Sequence, residues 1–265
     1  MRVVSICPSN TEILAYLDAV DLLVGVDDDS DWPKEVNDLP RVGRDLNIDI
    51  EAVEALQPDL VLASLSVPGM ERNIDALNQA NIPYIILDPN SLDEIAQDIL
   101  TVGEHIGKET KADDVYRQFH ATLEEYRNIS REIPQPKTLY WEWWPKPLFT
   151  PGGWNWLSYI SELAGGRNVF ADYDQASVQV EWEDVLAKNP DIICMVWVGV
   201  QEKKMNPEII KKRERSESIT AIEQDLIFVL EEYLYCRPSP RLIEGLQKIA
   251  YLLHPDYYPE PKSWR

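Results

Sequence analysis

The chain has 265 residues, room for two domains of about 110–130 residues, each with its own core. Hydrophobic residues make up 45% and charged residues 27%, an ordinary globular composition. The formal net charge of -21 disfavours nucleic acid and anionic membrane surfaces as partners, and no run of about 18 apolar residues offers a membrane span.

From Met1 the chain goes directly into a strand-like Val3–Cys7, with no charged start, apolar stretch and cleavage site. That predicts a cytoplasmic protein, or an extracytoplasmic one whose export signal has been replaced by a start Met. Cys7, Cys194 and Cys236 are odd in number and lie in or beside predicted strands. They read as reduced, mostly buried thiols, which favours the cytoplasm.

The first lobe alternates strand and helix. Val3–Cys7 is a predicted strand, Asn10–Leu17 a helix and Leu22–Val26 a strand, followed by a polar loop Asp27–Pro33 that carries Asp27, Asp28, Asp29 and Asp31. Then come helix Ile50–Leu56, strand Leu60–Ala63, helix Met70–Gln79, strand Tyr84–Leu87 and helix Leu92–Ile106, closed by Gly107. Such alternation implies parallel pairing with right-handed crossovers.

From Thr110 to Ile133 the apolar residues Ala112, Val115, Tyr116, Phe119, Leu123, Tyr126, Ile129 and Ile133 recur every three or four positions. Thr110 reads as N-cap and Ile133-Pro134 as the end of the helix, about 35 Å of rod at 1.5 Å per residue. Placed mid-chain, it reads as a connector. Residues 51–59 (EAVEALQPD) and 183–191 (EDVLAKNPD) flank it, agree at five of nine positions, and each run through Pro-Asp into an apolar strand. The repeat predicts two similar α/β halves: a first lobe over 1–108, the connecting helix over 109–134 and a second lobe over 135–265, with Rossmann-like parallel sheets.

In the second half, strand Thr138–Glu142 precedes helix Trp154–Ala164, a helix ending at Val185–Lys188, and strand Ile192–Trp197. Pro207–Arg215 and Ile219–Asp225 read as helical, Ile227–Leu230 as a strand and Pro240–Leu253 as the last helix. The tail HPDYYPEPKSWR, with three prolines, reads as extended on the surface. The basic run Lys203 to Arg215 reads as a solvated helix face.

Three features carry chemistry. Ser9-Asn10-Thr11-Glu12 after the first strand has the form of a capping box, with Ser9 as N-cap, and such turns also line the ligand crevice of α/β folds. The segment TLYWEWWPKPLFTPGGWNW holds five of the nine Trp, at 141, 143, 144, 154 and 156. Those beyond the strand's end would overhang a cleft and suit a large, partly apolar ligand. Gly152-Gly153 ahead of a helix would offer free backbone N–H groups to a polar or anionic group. His105 and His120 fall within predicted helices and His254 beside the tail, so no Ser-His or Cys-His pair is expected. No nucleophile elbow, phosphate loop, dinucleotide fingerprint or zinc spacing occurs.

RVVSICPSNTEILAYL, LLVGVDDDSDWP, EAVEALQPDLVLAS and ERNIDALNQANIPYIIL resemble the first lobe of those periplasmic-binding-protein family members that bind cobalamin or iron-siderophores. LFTPGGWNWLSYISELAGGRNVF, VLAKNPDIICM and RPSPRLIEGLQKIA resemble the second. The resemblance implies two lobes joined by one backbone helix, a ligand held in the cleft and delivery to an ABC permease. In transport members a surface glutamate on each lobe docks the permease: the first matches Glu71, whereas the second falls on Cys236, with Glu231 and Glu232 out of register. With no signal segment, the chain resembles the signal-less, cobalamin-binding-like branch.

The expectation is a non-enzymatic substrate-binding protein for a cobalamin-like or other metal-chelate ligand, with no cofactor, no metal of its own, no nucleic acid and no membrane insertion. Trp143, Trp144 and Trp154 would stack on the ligand, Arg44 and Asp45 would make polar contacts, and Asp28 and Asp29 would accept hydrogen bonds. Asn10, Leu65, Glu142 and Trp197 complete the expected lining. The rival is a cytoplasmic enzyme or regulatory protein acting on a chelate or small polar ligand, with Glu142 and Asp45 as acid and base.

Overall fold

A computed structural model describes residues 1–67 and 69–261 of the chain and divides it into two compact units, Met1–His120 and Ala121–Arg265. Unit 1 runs β1 (Val3–Ser5), α1 (Pro8–Tyr16), β2 (Leu23–Val26), β3 (Gly43–Arg44), β4 (Asn47–Ile48), α2 (Ile50–Ala55), β5 (Leu60–Ser64), α3 (Glu71–Ala80), β6 (Tyr84–Leu87) and α4 (Leu92–Ile106). Its sheet has the order β2-β1-β5-β6, every pair parallel. Side chains alternate across a strand, and the core follows that alternation. Val3, Leu60 and Leu62 face a cluster with Ile13 and Leu14 of α1 and Ile99 and Val102 of α4. Val4, Val61 and Ala63 face another, with Val53 of α2 and Leu77 of α3.

The connector α5 (Glu109–Arg131) is continuous, and the division into units falls inside it. It starts one residue before Thr110, directly after α4 ends on Gly107 in the left-handed region (φ 70°). Thr110 therefore lies in the first turn and is not the cap. Ala112, Val115, Phe119, Leu123 and Tyr126 form the buried stripe.

Unit 2 continues with β7 (Lys137–Glu142), β8 (Trp144–Pro145), β9 (Leu148–Pro151), α6 (Trp156–Leu163), β10 (Gly166–Asn168), β11 (Ser177–Val180), α7 (Trp182–Lys188), β12 (Ile192–Met195), α8 (Glu208–Lys211), α9 (Thr220–Glu223), β13 (Ile227–Val229), α10 (Glu232–Tyr235) and α11 (Leu242–Leu253). The parallel sheet β10-β7-β12-β13 repeats the order of unit 1, with β7 in the place of β1 and β12 in that of β5. An antiparallel sheet β11-β9-β8, not expected from the sequence, stands beside it.

The repeated Pro-Asp has a shared structural role. Asp59 accepts a hydrogen bond from the Arg2 backbone N–H at 2.7 Å, at the entry to β1. Asp191 accepts from the Thr138 N–H and hydroxyl, both at 2.8 Å, at the entry to β7. In each unit this carboxylate caps the neighbouring central strand, where an N–H would otherwise lack a partner.

Three local expectations are corrected. Helix α1 has no capping box: Pro8 takes the first helical position, Cys7 becomes the N-cap, and Ser9 and Glu12 are buried. A capping box does occur at α4, between Ser91 and Glu94. The basic segment is α-helical only over Glu208–Lys211, with a 3-10 turn at Glu202–Lys204, and the described part of the tail is not all surface. Tyr258 is buried, stacks on Tyr126 at 5.1 Å and donates to the Leu163 carbonyl, while positions 262–265 of the predicted tail lie outside the described residues.

Candidate functional site

In unit 1 the segments after β1, β2 and β5 leave from the carboxyl ends of the parallel strands, where α/β folds hold ligands. The segment after β2 is organised by Asp27, the one aspartate of its group that turns inward. Its carboxylate accepts from the Ser30 hydroxyl (2.5 Å) and the Asp29 N–H (2.9 Å). Ser30 also bonds Thr11 of α1 at 2.8 Å, and Arg41 donates to the Asp27 and Ser30 carbonyls. Burial pushes the Asp27 carboxyl up to about 7, with Asp29 and Asp45 adding to it and the two hydrogen bonds opposing it.

On this frame Asp28 and Asp29 are exposed, and the Asp28 N–H donates to the Gly43 carbonyl at 2.8 Å, which ties the segment to the β3–β4 hairpin. Arg44 is exposed on that hairpin and Asp45 is half-buried, its carboxyl raised by burial and then by Asp29. Asp28, Asp29, Arg44 and Asp45 therefore come together in unit 1. Leu65 is half-buried beyond β5. Asn10 is a correction: it is 1% exposed and donates to the Ala63 carbonyl at 3.0 Å, tying α1 to β5.

In unit 2 the correction is larger. Glu142, the last residue of β7, is fully buried and its carboxylate is already surrounded by donors. Arg213 donates to both oxygens at 2.5 and 3.0 Å, Trp197 Nε1 donates at 3.2 Å and the Tyr140 hydroxyl at 3.3 Å. Neither Glu142 nor Trp197, 9% exposed in the core, presents itself to a ligand, and the proposed acid–base pair of Glu142 with Asp45 fails for the same reason. The basic run predicts a solvated face for Arg213. Instead it lies over the Trp182 ring at 4.9 Å.

Gly152-Gly153 does not offer free donors. The N–H groups of Gly152, Gly153 and Trp154 donate to the carbonyls of Ala176, Tyr173 and Gln175 at 3.1, 2.8 and 3.2 Å. A Cβ on Gly152 would sit 2.2 Å from the Gln175 carbonyl oxygen, which is why glycine stands there. This fit fixes the backbone of Trp154, whose side chain is 58% exposed; Trp144 is 41% exposed, its Nε1 donating to the Lys146 carbonyl at 3.1 Å. Trp143 is half-buried against Trp156 at 5.7 Å, and its Nε1 is buried without an acceptor among the described residues. No group of three or more His, Cys, Asp or Glu among the described residues is arranged to hold a metal ion.

Residues 3–234 match the family model described as periplasmic binding protein. The chain belongs to the periplasmic binding protein family. It is 32% identical over 266 residues, 98% of this chain and 82% of the relative, to the ABC transporter substrate-binding lipoprotein YvrC of Bacillus subtilis. It is 29% identical over 249 residues, 94% of this chain and 85% of the relative, to the vitamin B12-binding protein of Yersinia pestis. Among solved structures, the periplasmic vitamin B12 binding protein BtuF of Vibrio cholerae superposes with a TM-score of 0.79 at 26% identity, over 95% of this chain and 96% of that one.

This member of the family is a non-enzymatic substrate-binding protein of the ABC-transporter type. The cytoplasmic expectation is overturned, because these relatives are a lipoprotein and a periplasmic protein. The cysteines misled for a physical reason. Cys7 and Cys194 are buried and free, and burial pushes the Cys7 thiol up to about 12 and that of Cys194 higher still. A buried thiol held in its protonated form is a poor partner in disulfide exchange, so it carries little mark of its compartment. Among the described residues no helix is long and apolar enough to cross a membrane.

Proposed function

We propose that the ligand is a corrinoid of the cobalamin type. The observation that carries this reading is Trp154, a large flat side chain 58% exposed on a backbone held by three consecutive hydrogen bonds. Trp144 offers a second face in the same unit, and two of the similar proteins are named for vitamin B12. Asp28, Asp29, Arg44 and Asp45 suit the many amide groups at the rim of such a ligand. The test is titration with cyanocobalamin, followed by tryptophan fluorescence and by co-elution of the coloured ligand. Binding at micromolar ligand or below is expected, and no quenching across several corrinoids would sink the reading.

In the same titration haem, with two carboxylates, is expected to bind about tenfold or more weakly than cyanocobalamin. The acidic side chains of unit 1 repel it, and the gap should shrink as salt is added. Trp154→Ala is expected to weaken cyanocobalamin about tenfold, the effect of losing an aromatic face worth on the order of 1.4 kcal/mol. Because the side chain is exposed, the melting temperature should stay within a degree or two of the parent. An unchanged affinity would remove Trp154 from the site.

Glu71 is proposed as the permease contact of unit 1. It is exposed at the start of α3, and its carboxylate accepts from the Gly69 N–H at 2.7 Å. In unit 2, Glu231 pairs with Lys248 and Glu232 with Arg237. Glu71→Ala is expected to leave corrinoid affinity unchanged and to lower ligand-stimulated ATPase of the reconstituted transporter. Full stimulation by the variant would exclude the contact.

A further inference from the structure

Glu142 and Arg213 are 71 residues apart, and no local signal connects them. Their pairing draws four structural pieces onto one buried carboxylate: β7, the exit of β12 at Trp197, the excursion that carries α8, and α7 through the Trp182 ring against Arg213. The backbone continues the same attachment. The Val196 N–H donates to the Glu142 carbonyl at 3.1 Å, the Val198 N–H to the Trp143 carbonyl at 3.2 Å, and the Trp143 N–H to the Phe149 carbonyl at 2.9 Å. Both backbone polar groups of Trp143 are thus fixed by neighbours, one on the hairpin side and one on the excursion side. Its own Nε1 holds nothing among the described residues, so the ring's orientation is left to the backbone held by those neighbours and to its packing on Trp156.

A buried ion pair is a weak device for stability, because an apolar pair of similar volume serves as well or better. What it supplies is direction. A bidentate arginine–carboxylate pair has one geometry, and the planar guanidinium is further restricted by its aromatic neighbour.

We propose that Arg213 is a positioning residue: through Glu142 it locks the excursion at residues 196–219 to the end of β7 and so sets the orientation of Trp143 and the aromatic arm that follows it. Arg213 acts through Glu142 and not by touching the ligand. The proposal rests on the reading of that arm as ligand-contacting, and the experiment separates the two.

Three variants are compared, Arg213→Lys, Arg213→Met and the double variant Glu142→Gln/Arg213→Met, each measured well below its own melting temperature. The single Met variant leaves a buried carboxylate uncompensated and is the one that could fail to fold. The double variant removes both charges and keeps the volume. Expected for the double variant are a melting temperature close to the parent and an affinity for cyanocobalamin about tenfold or more weaker. Arg213→Lys should fall between them. Near-ultraviolet circular dichroism of the ligand-free proteins should differ between parent and double variant, and part of that difference should be lost when both carry Trp143→Phe, the remainder coming from Trp182, Trp197 and Tyr140, which touch the pair directly.

If the pair serves stability alone, the double variant recovers both melting temperature and affinity with no Trp143-dependent change in the spectrum, and the proposal is overturned. If the parent itself does not bind cyanocobalamin, the ligand reading fails. The Trp143-dependent difference spectrum then decides the positioning role by itself: its presence supports the role and its absence overturns it.

Discussion

Acidifying the protein from about pH 8 to about pH 5.5 is expected to raise its unfolding free energy by roughly 2 kcal/mol through Asp27 alone. Asp27 ionises near 7 in the fold, against 3.8 for an ordinary aspartate. Between those values the native state holds a proton that the unfolded chain has released, so stability rises as pH falls. The contribution is complete below 3.8 and is lost as the pH climbs through 7. The cause is burial first, then the nearby Asp29 and Asp45.

Asp98 acts in the same direction. Its carboxyl is also pushed up to about 7, by burial and then by Glu94 and Asp88, and its Oδ2 is buried without a donor among the described residues. The net charge of -21 adds a general self-repulsion that acid also relieves. Asp27→Asn isolates the specific part. The Asn oxygen can still accept from the Asp29 N–H, and its amide can donate to Ser30, whose hydroxyl is free to turn towards Thr11 because either oxygen of that pair can be the donor. The variant should be more stable than the parent at pH 8 and show a flatter profile, read by urea denaturation across the pH range. A parent profile that falls towards acid would refute the assignment.

The fold could be read from the sequence wherever a local pattern determines structure. The strand Tyr84–Leu87 and the helix Leu92–Ile106 fall where periodicity and the closing Gly107 put them. The EAVEALQPD and EDVLAKNPD segments announced the matching sheets because the helix, the Pro-Asp and the strand are contiguous in each. The sheet β11-β9-β8 was invisible because β9 pairs with a strand, in the register Ser177 opposite Pro151, that lies beyond 25 intervening residues containing α6 and β10.

The site was harder for a sharper reason. At the carboxyl end of a strand, the period-two rule stops deciding which way a polar side chain points. Asn10, Glu142 and Asp28 all lie at or beyond the carboxyl end of a strand, yet Asn10 and Glu142 turn inward to partners 53 and 71 residues away, and Asp28 turns out. Likewise Trp197 and Trp154 are both aromatic residues beyond a strand. What separates them is a buried acceptor for the indole of Trp197 and a glycine pair that leaves Trp154 on the surface. Neither feature is marked by a local pattern of residues.

Arg213→Met is expected to cost roughly 3–5 kcal/mol, the range for breaking a buried ion pair by removing one partner. The magnitude follows from what remains. Glu142 is 0% exposed, so without the guanidinium its carboxylate keeps only the neutral donors Trp197 Nε1 and the Tyr140 hydroxyl. It must then either stay charged at the cost of a large desolvation or take up a proton and lose the acceptor geometry that those donors need. Arg213→Lys keeps the charge but loses one of two parallel hydrogen bonds and the flat contact with Trp182, so an intermediate loss is expected. A double-mutant cycle with Glu142→Gln should show a large favourable coupling, because removing the second charge also removes the penalty created by the first. Urea unfolding followed by tryptophan fluorescence suits the measurement, since seven of the nine tryptophans lie between positions 141 and 197. A loss for Arg213→Met below about 1 kcal/mol, the usual worth of an exposed pair, would mean that water reaches Glu142 in solution and that the pair does not lock β7 to the excursion.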